Sequence, residues 1–488
     1  MNNNKKNIII HFLQILILIF FVCSFSIKTF QNDTFFTIAI GERILKNGVE
    51  VEEKLVWHEG LEFTNSRWLF DVVIALINNH FGFLGIYIFV LLVASAQCVL
   101  LYFIINKITH KKFLSFCGTL LIIFWSAGVF TARAQIISFL IFTLEFYFIE
   151  RLLETDKKRY CFLLLILSLI LVNMHASVFP MYFVIFLPYI VEQILVRFKL
   201  DKSDKIIFKK RNIKKILIIF LIAFFIGFCT PKGLSPYTDM FKVMDGISTK
   251  FIEELKTIDI NHEIYLWGSL VLTISILIFT KTKIRVTDAF FILGFALMSL
   301  STYRCIFFYY FISMICILRF LNDLLVDYKI SFDFISKKIR IIMISVIYIW
   351  IVLFSIDSFI KNMYRDYIDA SEYPINATEY ILENIDILNM KIYNGFNFGS
   401  YLEYKGIKAF LDSRSGVFTD EFNPGVTILN DWYDVYKCSI HYNYIFDKYG
   451  ITHVLLNRKE KISTYIIKDS TWKLIYQDDS FELYERVK

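Results

Sequence analysis

Proline and glycine are scarce in this chain, at 6 and 18 of 488 residues. That scarcity excludes collagen-like repeats, and a hydrophobic content of 56% excludes intrinsic disorder. The 8 cysteines form no CxxC and no Cys/His spacing suited to zinc, so neither a disulfide framework nor a zinc site is supported. Seven of the eight lie in or beside apolar runs and read as small hydrophobic residues; Cys438 alone lies in a polar stretch. A Walker A loop, GxSxG, HExxH and a Gly-rich dinucleotide turn are all missing, which argues against a cytoplasmic nucleotide-driven enzyme. Any energy-rich substrate is therefore expected to arrive through the lipid.

What is abundant is apolar. There are 52 Phe, and mean hydropathy is +0.55. A membrane span needs about 20 apolar residues. Runs of that order begin near Ile8, Gly82, Phe113, Gln135, Tyr160, Ala176, Ile216, Tyr265, Val286, Arg304 and Ile341. The expectation is a polytopic α-helical membrane protein of about eleven spans. The run at Tyr160 is short, and Trp68 to Asn79 suits a further, partly embedded helix.

Charge is unevenly placed. From Lys361 onward there are 15 basic and 19 acidic residues, net −4, which leaves 52 − 15 = 37 basic and 45 − 19 = 26 acidic, net +11, before it. That excess belongs to membrane loops and makes no case for nucleic acid. Lys5 and Lys6 precede the first span and place the N-terminus in the cytoplasm. Five basic segments then fall on that same side: Lys107 to Lys112, Arg151 to Arg159, Arg197 to Lys215 (with Lys199 and Lys202), Lys281 to Arg285, and Lys329 to Arg340 (with Lys337). An odd number of spans puts the tail outside. The first span has signal-peptide flanks but no good small-residue cleavage site, and reads as an uncleaved helix. The expected location is the plasma membrane, or inner membrane, crossed many times.

Two segments between spans, about 28–67 and 230–263, are too long to be turns and are expected to lie outside. The organisation is thus a transmembrane domain over 1–360 and a small extracytoplasmic α/β domain over 361–488. In the tail, Pro374 to Ile385 and Tyr444 to Tyr449 read as helices. Lys391 to Tyr393, Ala409 to Leu411, Thr452 to Leu456, Trp472 to Tyr476 and Phe481 to Glu485 read as strands.

Residues that could carry chemistry cluster at the outer ends of the spans. Asp33, a few residues beyond the first span, could take a proton from an acceptor hydroxyl while apolar walls exclude water. Equally, Asn32, Asp33 and Thr34 are all good N-caps for the helix that follows. Arg133, His175, Lys232 and Arg304 are outward cations in a chain whose basic residues otherwise face inward. They suit phosphate binding, with snorkelling to headgroups as the plainer reading. Glu253 and Glu254 in the second outer segment could bind a sugar hydroxyl or a cation, or form a solvated helix face. Asp71 and Glu145 lie within apolar stretches, where an ionisable group marks a functional site by default. Asp412 and Arg414 follow a short strand, as site residues or as a pair that holds a turn.

The order of these segments resembles the GT-C glycosyltransferases, and more narrowly bacterial membrane proteins with a RgtA/B/C/D-like or dolichyl-phosphate-mannose mannosyltransferase-like core. Asp33 to Leu45 with Gly48 is similar to that family's first outer loop, and Ser66-Arg-Trp-Leu-Phe70 stands where an acidic-Trp-Leu motif is usual. Ala132 to Ser138, Val172 to Ser177 and Thr230 to Leu234 fit later blocks, and Asn394 to Leu402 with Phe410 to Arg414 fit the tail. The resemblance implies an inverting transfer of a sugar, hexosyl or pentosyl, from a polyprenyl-phosphate-linked donor to a glycan, lipid or protein acceptor on the outer face. It casts Asp33 as general base and Arg133, Arg304, His175 and Lys232 as phosphate contacts. Trp68, Asp71, Asp412 and Arg414 would serve the acceptor or sugar. Arg67 departs from the pattern, since it stands where the family often has an acidic residue, with Asp71 four residues on as its substitute. No cofactor is implied, and a divalent cation stays open because no ligand cluster stands out. The alternative is a non-catalytic transporter, flippase or assembly subunit of an envelope polysaccharide pathway.

Overall fold

The computed structural model describes residues 3–63, 65–198, 204–250, 252–258, 263–330 and 336–487. Lys199 and Lys202 lie outside the described residues, as do the side chains of Lys5, Lys6, Glu253 and Lys337. The chain divides into two compact units. One comprises Met1–Lys28, Tyr87–Tyr237 and Glu253–Arg365; the other comprises Thr29–Ile86, Thr238–Ile252 and Asp366–Lys488.

The first unit is helical. Leu-, Ile- and Phe-rich stretches with almost no internal proline satisfy their own backbone groups, which lipid cannot do for them. A helix begins at or near the start of each apolar run, and the second run is part of a longer helix. Among the described residues, five helices are long and apolar enough to cross a membrane: Ile8–Phe25, Trp68–Thr109, Ala176–Arg197, Tyr303–Asp327 and Lys338–Met363. Trp68 to Asn79 does form a helix distinct from the run that follows: the helical residues Trp68–Thr109 break at Gly82, whose φ of 59° and ψ of −159° suit only glycine, into two helices.

Polar residues inside this unit are paired with care. Arg319 donates to Asp288 at 2.8 Å and lies 3.6 Å from Glu150, which also accepts from the Tyr189 hydroxyl at 2.8 Å. Glu145 is different: it is fully buried, and neither carboxylate oxygen has a hydrogen-bond partner. The helix formed by Tyr303 to Asp327 contains a π-helical turn at Tyr309–Ser313, a turn type found disproportionately near functional sites.

The second unit contains a four-stranded mixed sheet. Its spatial order is Ile392–Asn394, His453–Asn457, Phe481–Arg486, Trp472–Gln477, the first pair parallel and the others antiparallel. Val454, Leu455 and Leu456 are all fully buried, so this central strand reads as a continuous apolar run instead of an alternating one. Ala409 to Leu411 is not a strand. Ala409 makes one isolated bridge to Val56, and the Phe410 amide donates to the Asn394 side chain at 2.8 Å. Its backbone is satisfied by the first polar segment and a side chain, so no sheet neighbour is needed.

Two close approaches fix the helix Asn32–Asn47 within this unit. A Cβ on Gly41 would overlap the Asp71 carbonyl oxygen, so the helix can lie directly on the one that starts at Trp68. The short helix Gly399–Tyr404 packs against its other side, and the Ser400 hydroxyl donates to the Asn32 carbonyl at 2.7 Å.

Candidate functional site

Asp33 lies in the first turn of the helix Asn32–Asn47, but it is not the cap. Gln31 holds that position and makes no side-chain capping bond. The Asp33 carboxylate instead meets a hydroxyl and a guanidinium. The Ser413 hydroxyl donates to Oδ1 at 2.9 Å, and Arg67 Nη1 lies 3.8 Å from Oδ2. Arg67 is buried enough to matter, with 13% of its side chain exposed, and its guanidinium lies 4.1 Å over the Phe36 ring.

Asp71 occupies the far side of that arginine, 3.7 Å from Nε, and is completely buried. Asn65 explains how it is held: its amide donates to Asp71 at 2.7 Å while its carbonyl accepts from the Arg67 backbone at 2.8 Å. Arg67 is therefore shared by two carboxylates. The residue that breaks the family's acidic pattern serves here as the counter-charge of the proposed base. Trp68, half-buried, starts the following helix.

Asp412 and Arg414 flank Ser413 and are both buried. Arg414 Nε and its backbone amide each donate to Asp412 at 2.6 Å, Nη1 donates to Glu53 at 2.5 Å, and Nη2 to Glu403 at 3.1 Å. Burial works against the Arg414 charge, but Asp412, Glu403 and Glu53 together outweigh it and hold the guanidinium firmly protonated. Burial pushes Glu403 well above the usual carboxylate range, Arg414 opposes this, and Asp412 and Glu53 add to it. The adjoining cavity is about 30 Å³, room for a water or two and too small for a hexose. This cluster is a lock that presents Ser413 to Asp33.

In the other unit, the structure brings together two of the four cations through Glu254, for which the sequence offers either a cation contact or a solvated helix face. Glu254 Oε1 accepts from Arg133 Nη1 at 2.6 Å, and Oε2 accepts from Arg304 Nη2 at 2.9 Å. Burial alone would raise the Glu254 pKa; Arg133 and Arg304 more than reverse this and hold it below the ordinary range. The carboxylate belongs to a short turn, Glu253–Leu255, tied to the turn Tyr303–Cys305 by a 2.9 Å bond from the Tyr303 amide to the Lys256 carbonyl.

His175 and Lys232 occupy neighbouring helix ends of that unit. The His175 ring is hydrogen-bonded at 2.7 Å to Ser138, in the first turn of the helix Gln135–Thr155 that Arg133 precedes by two residues. Asn173, two residues before His175, donates to the Cys229 carbonyl at 3.0 Å, three residues before Lys232. Ser413 has no signal in composition or spacing, and the signal of Glu254 is its place as an acidic residue in the second long polar segment. Among the described residues no group of three or more His, Cys, Asp or Glu is arranged to hold a metal ion.

No protein-family model matches the sequence, and no curated protein matches it. Solved structures do match. ArnT from Cupriavidus metallidurans bound to undecaprenyl phosphate aligns at a TM-score of 0.54 and 10% identity, over 99% of this chain and 98% of that one. The apo oligosaccharyltransferase of Archaeoglobus fulgidus aligns at 0.57 and 9% identity, over 92% and 69%. The Archaeoglobus fulgidus oligosaccharyltransferase AglB, in complex with an inhibitory peptide and a dolichol-phosphate, aligns at 0.52 and 9% identity over the same shares. At such identities the likeness speaks for the fold. This chain is a multi-pass membrane protein with the fold of the GT-C glycosyltransferases.

Proposed function

We propose that this protein transfers a sugar, hexosyl or pentosyl, from a polyprenyl-phosphate-linked donor to a glycan, lipid or protein acceptor on the outer face of the plasma membrane, with inversion. The acceptor hydroxyl attacks the anomeric carbon as the bond from that carbon to the phosphate oxygen breaks. The electron pair stays on the polyprenyl phosphate, and the acceptor's proton goes to Asp33. Arg133 and Arg304 stabilise the charge that develops on the leaving phosphate, with His175 and Lys232 as further contacts.

One observation carries this reading: two guanidinium groups converge on the two oxygens of a single anion, an arrangement that suits phosphate. Support for the base comes from Asp33 itself, which is held by a hydroxyl and a cation while 18% of its side chain stays open to solvent. Trp68 is the proposed acceptor-side or sugar-side contact. Asp71, Asp412 and Arg414 serve that side indirectly, since they are buried and act through Arg67 and Ser413. The proposed topology has eleven spans, the N-terminus in the cytoplasm, residues 1–360 in and about the membrane, and residues 361–488 outside.

The test is Asp33→Asn in the full-length protein, assayed with polyprenyl-phosphate-linked sugar. Loss of a general base lowers turnover by about 10²–10⁴-fold, with the protein still inserted and still binding polyprenyl phosphate. Turnover equal to wild type would remove Asp33 from the mechanism.

A further inference from the structure

Glu254 poses a problem for a phosphate site, because it already occupies both arginines. We propose that it is a built-in stand-in for the donor's phosphate, which holds Arg133 and Arg304 in place and is displaced when the donor enters. This rests on the reading that those arginines bind phosphate, and adds how the empty site is kept.

Three observations support displacement over a permanent pair. First, the match is incomplete: both carboxylate oxygens are committed, yet Arg304 Nε is buried with no hydrogen-bond acceptor. A carboxylate has no third oxygen to offer. A phosphate does, and that oxygen gains charge when the bond to the sugar breaks, so a donor completes what Glu254 leaves unfinished. Second, Glu254 can leave. Its side chain is 35% exposed and has a short route to water, whereas the carboxylates around Arg414 have none. Third, the backbone need not move. The Tyr303–Lys256 bond anchors the turn, so rotation about the three side-chain torsions of Glu254 frees both guanidinium groups. Without a resident anion the two arginines would repel each other; with one they stay aimed at the same point, and the incoming anion inherits that geometry.

Displacement acts as a conformational tax on donor affinity, since only the fraction of molecules with Glu254 swung away can bind. The experiment measures equilibrium binding of polyprenyl phosphate to the detergent-solubilised full-length chain, with polyprenyl alcohol as the control for the lipid tail. Wild type, Glu254→Ala, Glu254→Gln and Arg304→Met are compared. Removing the stand-in's charge is expected to tighten phosphate binding about tenfold in both Glu254 variants, with no change for the alcohol. The glutamine variant keeps the side chain's size and serves alone if the alanine variant does not assemble. Binding that is weaker than or equal to wild type in the Glu254 variants, while Arg304→Met still loses affinity, overturns the stand-in and leaves the phosphate site intact. Undiminished binding by Arg304→Met overturns the phosphate site, and the stand-in with it.

Discussion

The two units use arginine in opposite ways. In one, two guanidinium groups share a single carboxylate, Glu254, which is about a third exposed. In the other, a single guanidinium, Arg414, is shared by Glu53, Glu403 and Asp412 in a place that is 9% exposed for the whole residue. The first arrangement has an unmatched donor on Arg304 and a carboxylate open to water, which is what the proposed exchange of its anion requires. The second gathers three buried carboxylates around one guanidinium, with the Glu403 pKa pushed upward by burial, and its charges cannot leave together without opening the core. The same residue type thus suits exchange where its anion is open to water and a clamp where its anions are buried.

The sharpest way to break this comparison is to remove one arginine from each side. Arg414→Met strands carboxylates in the core and is expected to cost about 3–5 kcal/mol, enough to abolish a stable fold. Arg304→Met strands only a carboxylate that water can reach, and is expected to leave thermal stability within about 1 kcal/mol. Thermal unfolding of both variants in detergent decides it; equal losses would mean that the two sites are not different in kind.

A smaller effect separates the clamp from what it serves. Ser413→Ala removes one hydrogen bond to Asp33 and leaves Arg414 with its partners. Turnover is expected to fall about five- to tenfold, the equivalent of roughly 1 kcal/mol, and Ser413→Thr should restore most of it. A shift of the acid limb of the pH–rate profile upward in Ser413→Ala would mark the loss of a donor to the ionised carboxylate. A profile unchanged in shape would mean that Ser413 only packs.

The smallest expected effects are in pH, and they have opposite signs. Glu403 titrates above its ordinary value of 4.5 in the folded protein, so the native state keeps a proton the unfolded chain has lost. Stability therefore falls as pH rises from 4.5 toward that raised pKa, and Glu403→Gln should flatten the slope. Glu254 titrates below 4.5, so its contribution is present above that pH and is lost as pH falls through the depressed pKa. Solvent screening keeps that loss small, and Glu254→Gln should remove it. Stability curves between pH 3 and pH 8 distinguish the two slopes.

Much of the helical part was legible because apolar runs of membrane length leave the backbone no alternative to hydrogen-bonding itself. The tail's strands Thr452 to Leu456 and Phe481 to Glu485 were legible for a related reason: short β-branched and aromatic runs between turn residues. Ala409 to Leu411 looked the same and is not a strand, because its partners come from Val56 and Asn394, far away along the chain. At the candidate site, Asp33 stands out in the sequence through its place after an apolar run. Ser413, Arg67 and Glu254 were not given their roles, since a hydroxyl or a charge in a polar segment has no spacing that names its partner.

Sequence by itself determined that this is a chain for lipid, where its apolar runs begin, and which carboxylate follows the first of them. Those are properties of local composition, and transfer from water to hydrocarbon enforces them residue by residue. Only tertiary structure decided which charge meets which. Arg133 and Arg304 are brought onto Glu254 across 121 and 50 residues of chain, and Ser413 onto Asp33 across 380. Such pairings depend on packing between helices and loops remote in sequence, where electrostatics selects among neighbours that the fold has already supplied.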